Sequence, residues 1–195
     1  MYDKLSVINT NLILTGNSPV NTEEDGSPEW TVASAAYEAG VAYLLGSHDW
    51  KFETAIVTIQ RKRDGDDDHY DDVYAKPVNC LGLVWVKQAD YPLDWKIIGN
   101  DIYTTVVTTD PVKAKVVLRG DPSGWPPLFV QALNSLVKSG IYAGLNEDPG
   151  EAARHENAAQ GYLAQARTRT DREDKPRPAF RSRMLARRRG YVGPL

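Results

Sequence analysis

The sequence predicts an α+β fold: a four-helix bundle of two N-terminal and two C-terminal helices, with an inserted small antiparallel β-sheet and an extended C-terminal arm. Apolar residues recur at helical spacing near both ends of the chain, and β-branched residues concentrate between them. Prolines and arginines then replace the periodic pattern. We therefore expect one domain over residues 1–174, helical over 1–50 and 123–174 with a β insertion over 51–120, and an arm over 175–195.

The first predicted helix runs from Tyr2 to Leu14 and ends at Gly16, because glycine readily adopts the left-handed conformation that closes a helix. The second begins after Ser27, whose hydroxyl can accept from free backbone N–H groups, with Pro28 in its first turn. Small residues in its apolar stripe would let another helix approach closely. The stripe consists of Ala33, Ala36, Tyr37, Gly40 and Leu44.

A joint at Trp50-Lys51-Phe52 leads from the second helix into the β insertion. Turn signals at Gly99-Asn100 and Asp110-Pro111 separate runs of β-branched residues, so the pattern predicts an antiparallel meander. The predicted strands are Phe52–Gln60, Cys80–Lys87, Trp95–Ile98, Ile102–Val107 and Ala114–Arg119.

The third predicted helix follows residues 121–127 and has the clearest amphipathic pattern in the chain, formed by Phe129, Leu133, Leu136, Val137, Gly140, Ile141 and Gly144. Asp148 is the expected N-cap of the fourth helix, with Glu151 three residues later. That helix runs to about Asp171, roughly 34 Å at 1.5 Å per residue. Its inner stripe is Ala152, Ala159, Leu163 and Ala166. Two helices on either side of the strands argue against a parallel βαβ sheet.

Composition limits the possible classes of protein. A chain of 195 residues with 42% apolar content can build one core. It has no run of 18 apolar residues, so we expect no membrane span, and its first residues lack the pattern of a secretory signal. The lone Cys80 cannot form an internal disulfide, and its apolar neighbours favour a packed thiol over a nucleophile.

An acidic segment, Arg61–Asp72, resembles a calcium loop at three ligand positions, since Asp64, Asp66 and Asp68 match positions 1, 3 and 5 of an EF-hand. His69 stands where the loop requires glycine, and Ala75 where it requires a bidentate glutamate. We therefore interpret the segment as a solvated hairpin loop, and weak cation capture stays open.

The sequence offers no pattern for catalysis or cofactor binding. No two histidines have metal-ligand spacing, no serine lies in a Gly-x-Ser-x-Gly turn, and no glycine-rich phosphate loop is present. We interpret Trp50, Phe52, Trp85, Trp95 and Trp125 as core anchors. The chain is therefore predicted to be no enzyme, with no catalytic residue, no cofactor and no metal.

The C-terminal arm carries the sharpest functional prediction. Residues 175–195 contain seven basic residues and no acid, so a chain of net charge −3 has a body of net charge −10. Apolar residues among the arginines could form a short amphipathic helix on a partner, whereas the arm of a free monomer would be disordered. The predicted partner-binding residues are Phe180, Arg181, Arg183, Met184, Leu185, Arg187, Arg188 and Arg189.

The order of several motifs resembles the tail tubular protein A family, the head-to-tail connector (adaptor) proteins of short-tailed phages. Individually the motifs are short, but in order they span nearly the whole chain. They are Asn11-Leu12-Ile13-Leu14-Thr15-Gly16 with Pro19-Val20, the helix from Ala36-Tyr37-Glu38 to Leu44-Leu45, Trp50-Lys51-Phe52, Tyr91-Pro92-Leu93-Asp94-Trp95 ahead of Tyr103, Trp125-Pro126-Pro127-Leu128-Phe129-Val130-Gln131-Ala132-Leu133, and Arg181 to Gly190. The acidic segment departs from the family pattern.

The resemblance implies a structural protein of the virion, located at the junction of capsid and tail after assembly in the host cytoplasm. Members form a homo-oligomeric ring, usually of twelve copies, under the portal protein. They give the tail nozzle a docking platform and line part of the DNA channel without sequence-specific binding. The arm is then expected to dock on the portal or on an adjacent subunit, and a body of net charge −10 would let DNA slide because it does not grip phosphates.

Two other classes of function stay open. The first is a nucleic-acid-binding protein that uses the arginine-rich tail, since arginine pairs well with phosphate. The second is a hydrolase that works through Asp/Glu pairs, for which we expect no activity to be lost when the loop acids are replaced by alanine.

Overall fold

A computed structural model describes residues 3–67, 69–89, 91–106 and 109–173. Its helices are α1 (Lys4–Leu14), α2 (Pro28–Gly46), α3 (Pro127–Gly144) and α4 (Pro149–Arg172), with short 3-10 turns at Lys51–Glu53 and Pro122–Gly124. Its strands are β1 (Thr54–Thr58), β2 (Arg61–Asp67), β3 (Tyr70–Ala75), β4 (Cys80–Gln88), β5 (Tyr91–Pro92), β6 (Trp95–Ile98), β7 (Asp101–Thr104) and β8 (Val112–Leu118).

Side-chain caps set the helix starts. Asp3 accepts from the backbone N–H of Ser6 at 2.6 Å, and the Ser27 hydroxyl accepts from that of Trp30 at 3.1 Å. Asp148 accepts from two backbone N–H groups in the first turn of α4, both at 3.0 Å. Such caps satisfy N–H groups that have no partner inside the helix. The predicted caps of α2 and α4 are confirmed.

The four helices pack around one apolar cluster, and α2 and α3 lie at its centre. α4 packs mainly along α3, α3 packs along α2, and α1 contacts both α2 and α3. Glycines bring α2 and α3 together, because a Cβ on Gly140 would collide with Ala36 and one on Gly144 would lie 2.7 Å from a Val32 methyl carbon. At one end of the cluster four rings pack edge to face or tilted: Trp50, Phe52, Trp125 and Phe129.

The strands form two four-stranded antiparallel sheets. The first sheet has the order β1-β8-β4-β5 and the second has the order β2-β3-β7-β6. The two sheets pack face to face around a second apolar cluster, to which the first contributes Val86, Ala114 and Val116 and the second contributes Tyr74 and Ile102. Neighbouring residues of β8 point to opposite faces, so Lys113 and Lys115 face away from this cluster. β4 follows the same alternation from Trp85 to Lys87, beyond its register shift between Leu83 and Trp85.

The predicted architecture of a four-helix bundle with one small inserted sheet is wrong. The chain is mixed α+β, with four helices and two four-stranded antiparallel sheets. The error comes from β2 and β3, whose charged residues suggested a solvated loop. β2 is an edge strand with exposed charged residues, whereas β3 lies inside the sheet and buries Asp72, Val73 and Tyr74. Among the described residues, no helix is long and apolar enough to span a membrane.

Candidate docking surfaces

All the predicted partner-binding residues, from Phe180 to Arg189, lie outside the described residues. The structure does describe the helix that leads towards them. Near the end of α4, the Arg167 guanidinium donates to the Ser47 carbonyl at 3.1 Å. Asp171 lies 3.0 Å from the His48 ring, a contact that is an ion pair only when the histidine is protonated and that is not a hydrogen bond. These contacts fix the C-terminal end of α4 to the end of α2.

A buried carboxylate joins the helices to the sheets. Glu53 is only 6% exposed, and it accepts from the Trp125 indole N–H at 2.5 Å and from the Gly120 backbone N–H at 2.7 Å. Burial raises the pKa of Glu53, and the two hydrogen bonds oppose that rise without cancelling it. A Cβ on Gly120 would lie 2.4 Å from an oxygen of the same carboxylate, so a larger residue there would displace the Glu53 side chain.

A second polar contact bridges the two parts at the surface. Glu38 of α2 binds the Lys4 ammonium of α1 at 2.9 Å and the Arg119 guanidinium, just after β8, at 2.5 Å. Partial burial acts to raise the pKa of Glu38, but the two cations outweigh it and hold the pKa below its usual value. The helices and the first sheet are therefore tied at two separate carboxylates.

One side of the first sheet faces away from the apolar cluster between the sheets. The strand residues paired on this side include lysines and no acid, and we call it the basic face. It consists of Ile56, Trp85, Lys87, Lys113 and Lys115. The register pairs Ile56 and Trp85 with Lys115 from either side and pairs Lys87 with Lys113. The Lys87 ammonium lies 4.7 Å from the centre of the Trp85 ring, which places both on the same side of the sheet. Ile56 is 63% exposed.

The cations of the second sheet are already engaged, in contrast to those of the basic face. Arg63 donates to the Tyr103 hydroxyl at 3.0 Å, and the Lys96 ammonium lies 4.5 Å from the centre of the Tyr70 ring. Lys62 forms an ion pair with Asp101 at 2.7 Å. On the basic face, by contrast, the side chains of Lys113 and Lys115 make no hydrogen bond or ion pair with any part of the chain that the structure describes.

The segment predicted to be a solvated hairpin loop contains the paired strands β2 and β3, and we call it the acidic hairpin. Arg61 forms ion pairs with both Asp64 and Asp72. Gly65 lies at a register shift, and a Cβ there would collide with the backbone of Tyr70. The described residues include no group of three or more acids, histidines or cysteines that could hold a metal ion. The described residues therefore provide no set of ligands that would support the calcium interpretation.

Cys80 and His155 occupy structural positions in the described part of the chain. Cys80 is buried, and burial raises the pKa of its thiol, so the interpretation as a packed thiol is confirmed. The His155 ring stacks on Tyr142 with centroids 5.3 Å apart, and burial lowers its pKa. The interpretation of the tryptophans as core anchors is correct for Trp50 and Trp125, which are buried, but Trp85 lies on the basic face.

The chain matches no protein-family model and no curated protein.

Sequence reasoning missed the basic face, although its signal is present. Lys113-Ala114-Lys115-Val116 alternates cations with apolar residues, which is the pattern of a strand with one solvated side. Lys87 and Lys113 are 26 residues apart in the sequence, so no local pattern predicts the strand register that places them opposite each other. The charged patch therefore becomes visible only once the strands are paired.

Proposed function

We propose that this chain is a structural subunit of a phage head-to-tail connector. It forms a ring, with the twelve copies usual for the family it resembles, joins the portal to the tail nozzle and lines part of the DNA channel. The observation that carries the proposal furthest is the position of α4. This helix of 24 residues is fixed to α2 and α3, and its basic last turn leads directly towards the basic arm.

Such a geometry suits an arm that orders only when it binds. The body supplies a stable anchor up to Arg172, and residues 175–195 supply seven cations with apolar side chains between them. A segment that folds on binding can cover a large surface of its partner. The arm would dock on the portal or on an adjacent subunit through Phe180, Met184 and Leu185 together with the arginines.

Deletion of residues 176–195 tests the proposal. The full chain and the truncated chain are each mixed with the portal protein from the genome that encodes this chain, and the products are weighed by native mass spectrometry. We expect the truncated chain to lose the complex and to keep the helical circular-dichroism signal and melting temperature of the full chain. Joining of the truncated chain to the portal at full yield would refute the role of the arm.

Two arm variants separate charge from apolar contact. One replaces Arg187, Arg188 and Arg189 with glutamine, and the other replaces Phe180, Met184 and Leu185 with serine. A docked amphipathic segment loses affinity in both variants, because it uses both kinds of side chain. A loss in the arginine variant alone would indicate a purely electrostatic contact.

The nucleic-acid-binding alternative makes a different prediction for the same protein. Seven phosphate contacts would make the logarithm of duplex affinity fall with the logarithm of salt concentration at a slope of roughly −6. A connector subunit whose acidic body repels phosphate would not bind duplex DNA at moderate salt. Measurement of duplex binding by fluorescence anisotropy at several salt concentrations distinguishes the two functions.

A further inference from the structure

The outer edge of β1 is the one sheet edge in the described structure that carries no feature against pairing with a further strand. The four edge strands of the two sheets are β1, β5, β2 and β6. β5 has two residues and includes Pro92, β6 has four and includes Lys96, and β2 is charged and irregular in register. Short length, proline, lysine and irregular register all discourage pairing with another chain. β1, which spans Thr54–Thr58, has five uncharged residues, no proline and a regular register.

The backbone of β1 offers hydrogen-bonding groups on that edge. The Ile59 N–H donates to the Val112 carbonyl at 3.0 Å, and the register of β1 with β8 continues from this pair. Hydrogen-bonded positions alternate along an antiparallel pair, so Ala55 and Val57 bond to β8. The N–H and C=O groups of Ile56 therefore point to the outer edge, where the described part of the chain gives them no partner.

The side chains beside this edge indicate the chemistry of an added strand. Ile56 is 63% exposed, and its register partner is Lys115, while Thr58 is paired with Lys113. Neighbouring strands lie about 4.8 Å apart, so a residue added beside Ile56 would lie about 10 Å from Lys115, a gap that two long side chains can bridge. Two acids spaced two residues apart on the added strand would therefore reach towards both lysines, and the methylene groups of a glutamate would cover Ile56.

We propose that β1 accepts an extended, acidic segment of the tail nozzle protein as a fifth strand of the first sheet. In strand addition, main-chain hydrogen bonds provide affinity and alternate side chains provide specificity. The proposal rests on the proposed function, which assigns the arm to the portal or to an adjacent subunit and the nozzle to another surface. The arm has seven cations and no acid, so its charge does not suit a position beside Lys113 and Lys115. A phosphate backbone has no donor for the Ile56 carbonyl, so the edge favours a polypeptide over nucleic acid.

Hydrogen exchange tests the edge directly, with single-residue readout by mass spectrometry. In the unbound chain, the N–H groups of Ile56 and Thr58 should exchange faster than those of Ala55 and Val57, which bond to β8. The nozzle protein comes from the genome that encodes this chain. In its complex we expect exchange at Ile56 and Thr58 to slow at least about tenfold, because the added strand accepts from both groups. Unchanged exchange at these two residues in the complex would overturn the inference.

A proline variant removes the backbone contact. Ile56→Pro deletes the outward N–H but no hydrogen bond to β8, and proline is tolerated on edge strands for this reason. We expect nozzle binding, measured by biolayer interferometry, to weaken at least about tenfold. Ile97→Pro is the matched control, because Ile97 lies on β6, the edge strand of the second sheet, and binding should stay unchanged. Circular dichroism checks that both variants are folded. Equal binding by Ile56→Pro and Ile97→Pro would overturn the inference.

A charge-reversal variant leaves β1 itself unchanged. A chain with Lys113→Glu and Lys115→Glu would present acids to the acidic segment, so we expect at least about tenfold weaker nozzle binding at about 0.15 M salt. Arg154→Glu is the control, since this side chain is 78% exposed on α4, and binding should stay within about twofold of the unchanged chain. Full nozzle binding by the double lysine variant would contradict an acidic partner.

The failure of the inference and the failure of the proposed function give different results. If the unchanged chain joins neither the portal nor the nozzle, both fail. If it joins the portal, and the nozzle contact is absent or survives Ile56→Pro, only the inference fails. Slow exchange at Ile56 that appears in the chain alone as its concentration rises would show β1 pairing with a second copy. That result would overturn the inference as well, because the edge would then be occupied by a two-fold contact.

Discussion

Replacement of Glu53 should weaken the link between the helices and the sheets. The glutamate offers two oxygens, one to the Trp125 indole N–H and one to the Gly120 backbone N–H. Glutamine keeps the shape, but its amide nitrogen would face one of these donors. A buried donor left without an acceptor costs about 1–3 kcal/mol. We therefore expect Glu53→Gln to lower the free energy of unfolding by about that amount.

The measurement is urea unfolding followed by tryptophan fluorescence and by circular dichroism. For a domain of this size, about 1–3 kcal/mol corresponds to a fall of roughly 2–12 °C in melting temperature. Glu23→Gln is the matched control, because Glu23 is an exposed loop residue, and we expect no change within about 0.5 kcal/mol. Equal stability of Glu53→Gln and Glu23→Gln would refute the reasoning.

The pH dependence gives the same prediction an independent check. The pKa of Glu53 is raised by burial, so folding favours its protonated form. Its contribution to stability is present below the pKa of an unfolded glutamate and is lost as the pH rises through the raised pKa. Glutamine does not titrate, so its contribution to stability does not change with pH. The stability gap between the native chain and Glu53→Gln should therefore narrow as the pH rises through that range, and a widening gap would contradict the raised pKa.

Two further changes have defined outcomes. Gly140→Ala should lower the free energy of unfolding by about 1–3 kcal/mol, measured by urea unfolding, because the new methyl group would collide with Ala36 and force α2 and α3 apart. Glu38→Gln should remove a contribution that Lys4 and Arg119 make to stability at neutral pH. Since the pKa of Glu38 is lowered, this contribution is lost in the native chain as the pH falls through the lowered pKa, so native and variant melting temperatures should converge in acid.

Gly140→Ala has a matched control, and Glu38→Gln has an outcome that would contradict its explanation. Gly161→Ala places a methyl group in open space on the exposed side of α4, so it should raise stability by about 0.5–1 kcal/mol through the helix preference of alanine. A loss of stability in Gly161→Ala similar to that of Gly140→Ala would show that close packing is not the cause. A melting-temperature difference for Glu38→Gln that stays constant with pH would contradict the ion-pair explanation.

Local signals made the helices predictable. Ser27, Pro28 and Asp148 mark helix starts through groups within three residues of them, and Gly16 closes α1 with a φ of 79° as expected. The predicted α3 stripe includes Phe129, which is fully buried. These features depend on short stretches of chain, so a single sequence contains them.

Pairing between distant strands could not be predicted in the same way. The first strand was predicted from Phe52, but residues 51–53 form a 3-10 turn because Glu53 reaches Trp125, 72 residues later. The segment 61–75 reads as polar and aspartate-rich, yet it forms two strands because β7 pairs with β3. The existence of a second sheet, and the register that brings Lys87 beside Lys113 on the first, follow from contacts between distant parts of the chain.

The contact between α2 and α3 has a mechanical consequence. Where Gly140 meets Ala36 and Gly144 meets Val32, no layer of long side chains lies between the helix axes that could rearrange under load. Interiors packed this closely deform little. A force applied to the end of α4 would therefore displace α3 and α2 together. The displacement would reach the Glu53 contact and, through it, the sheets.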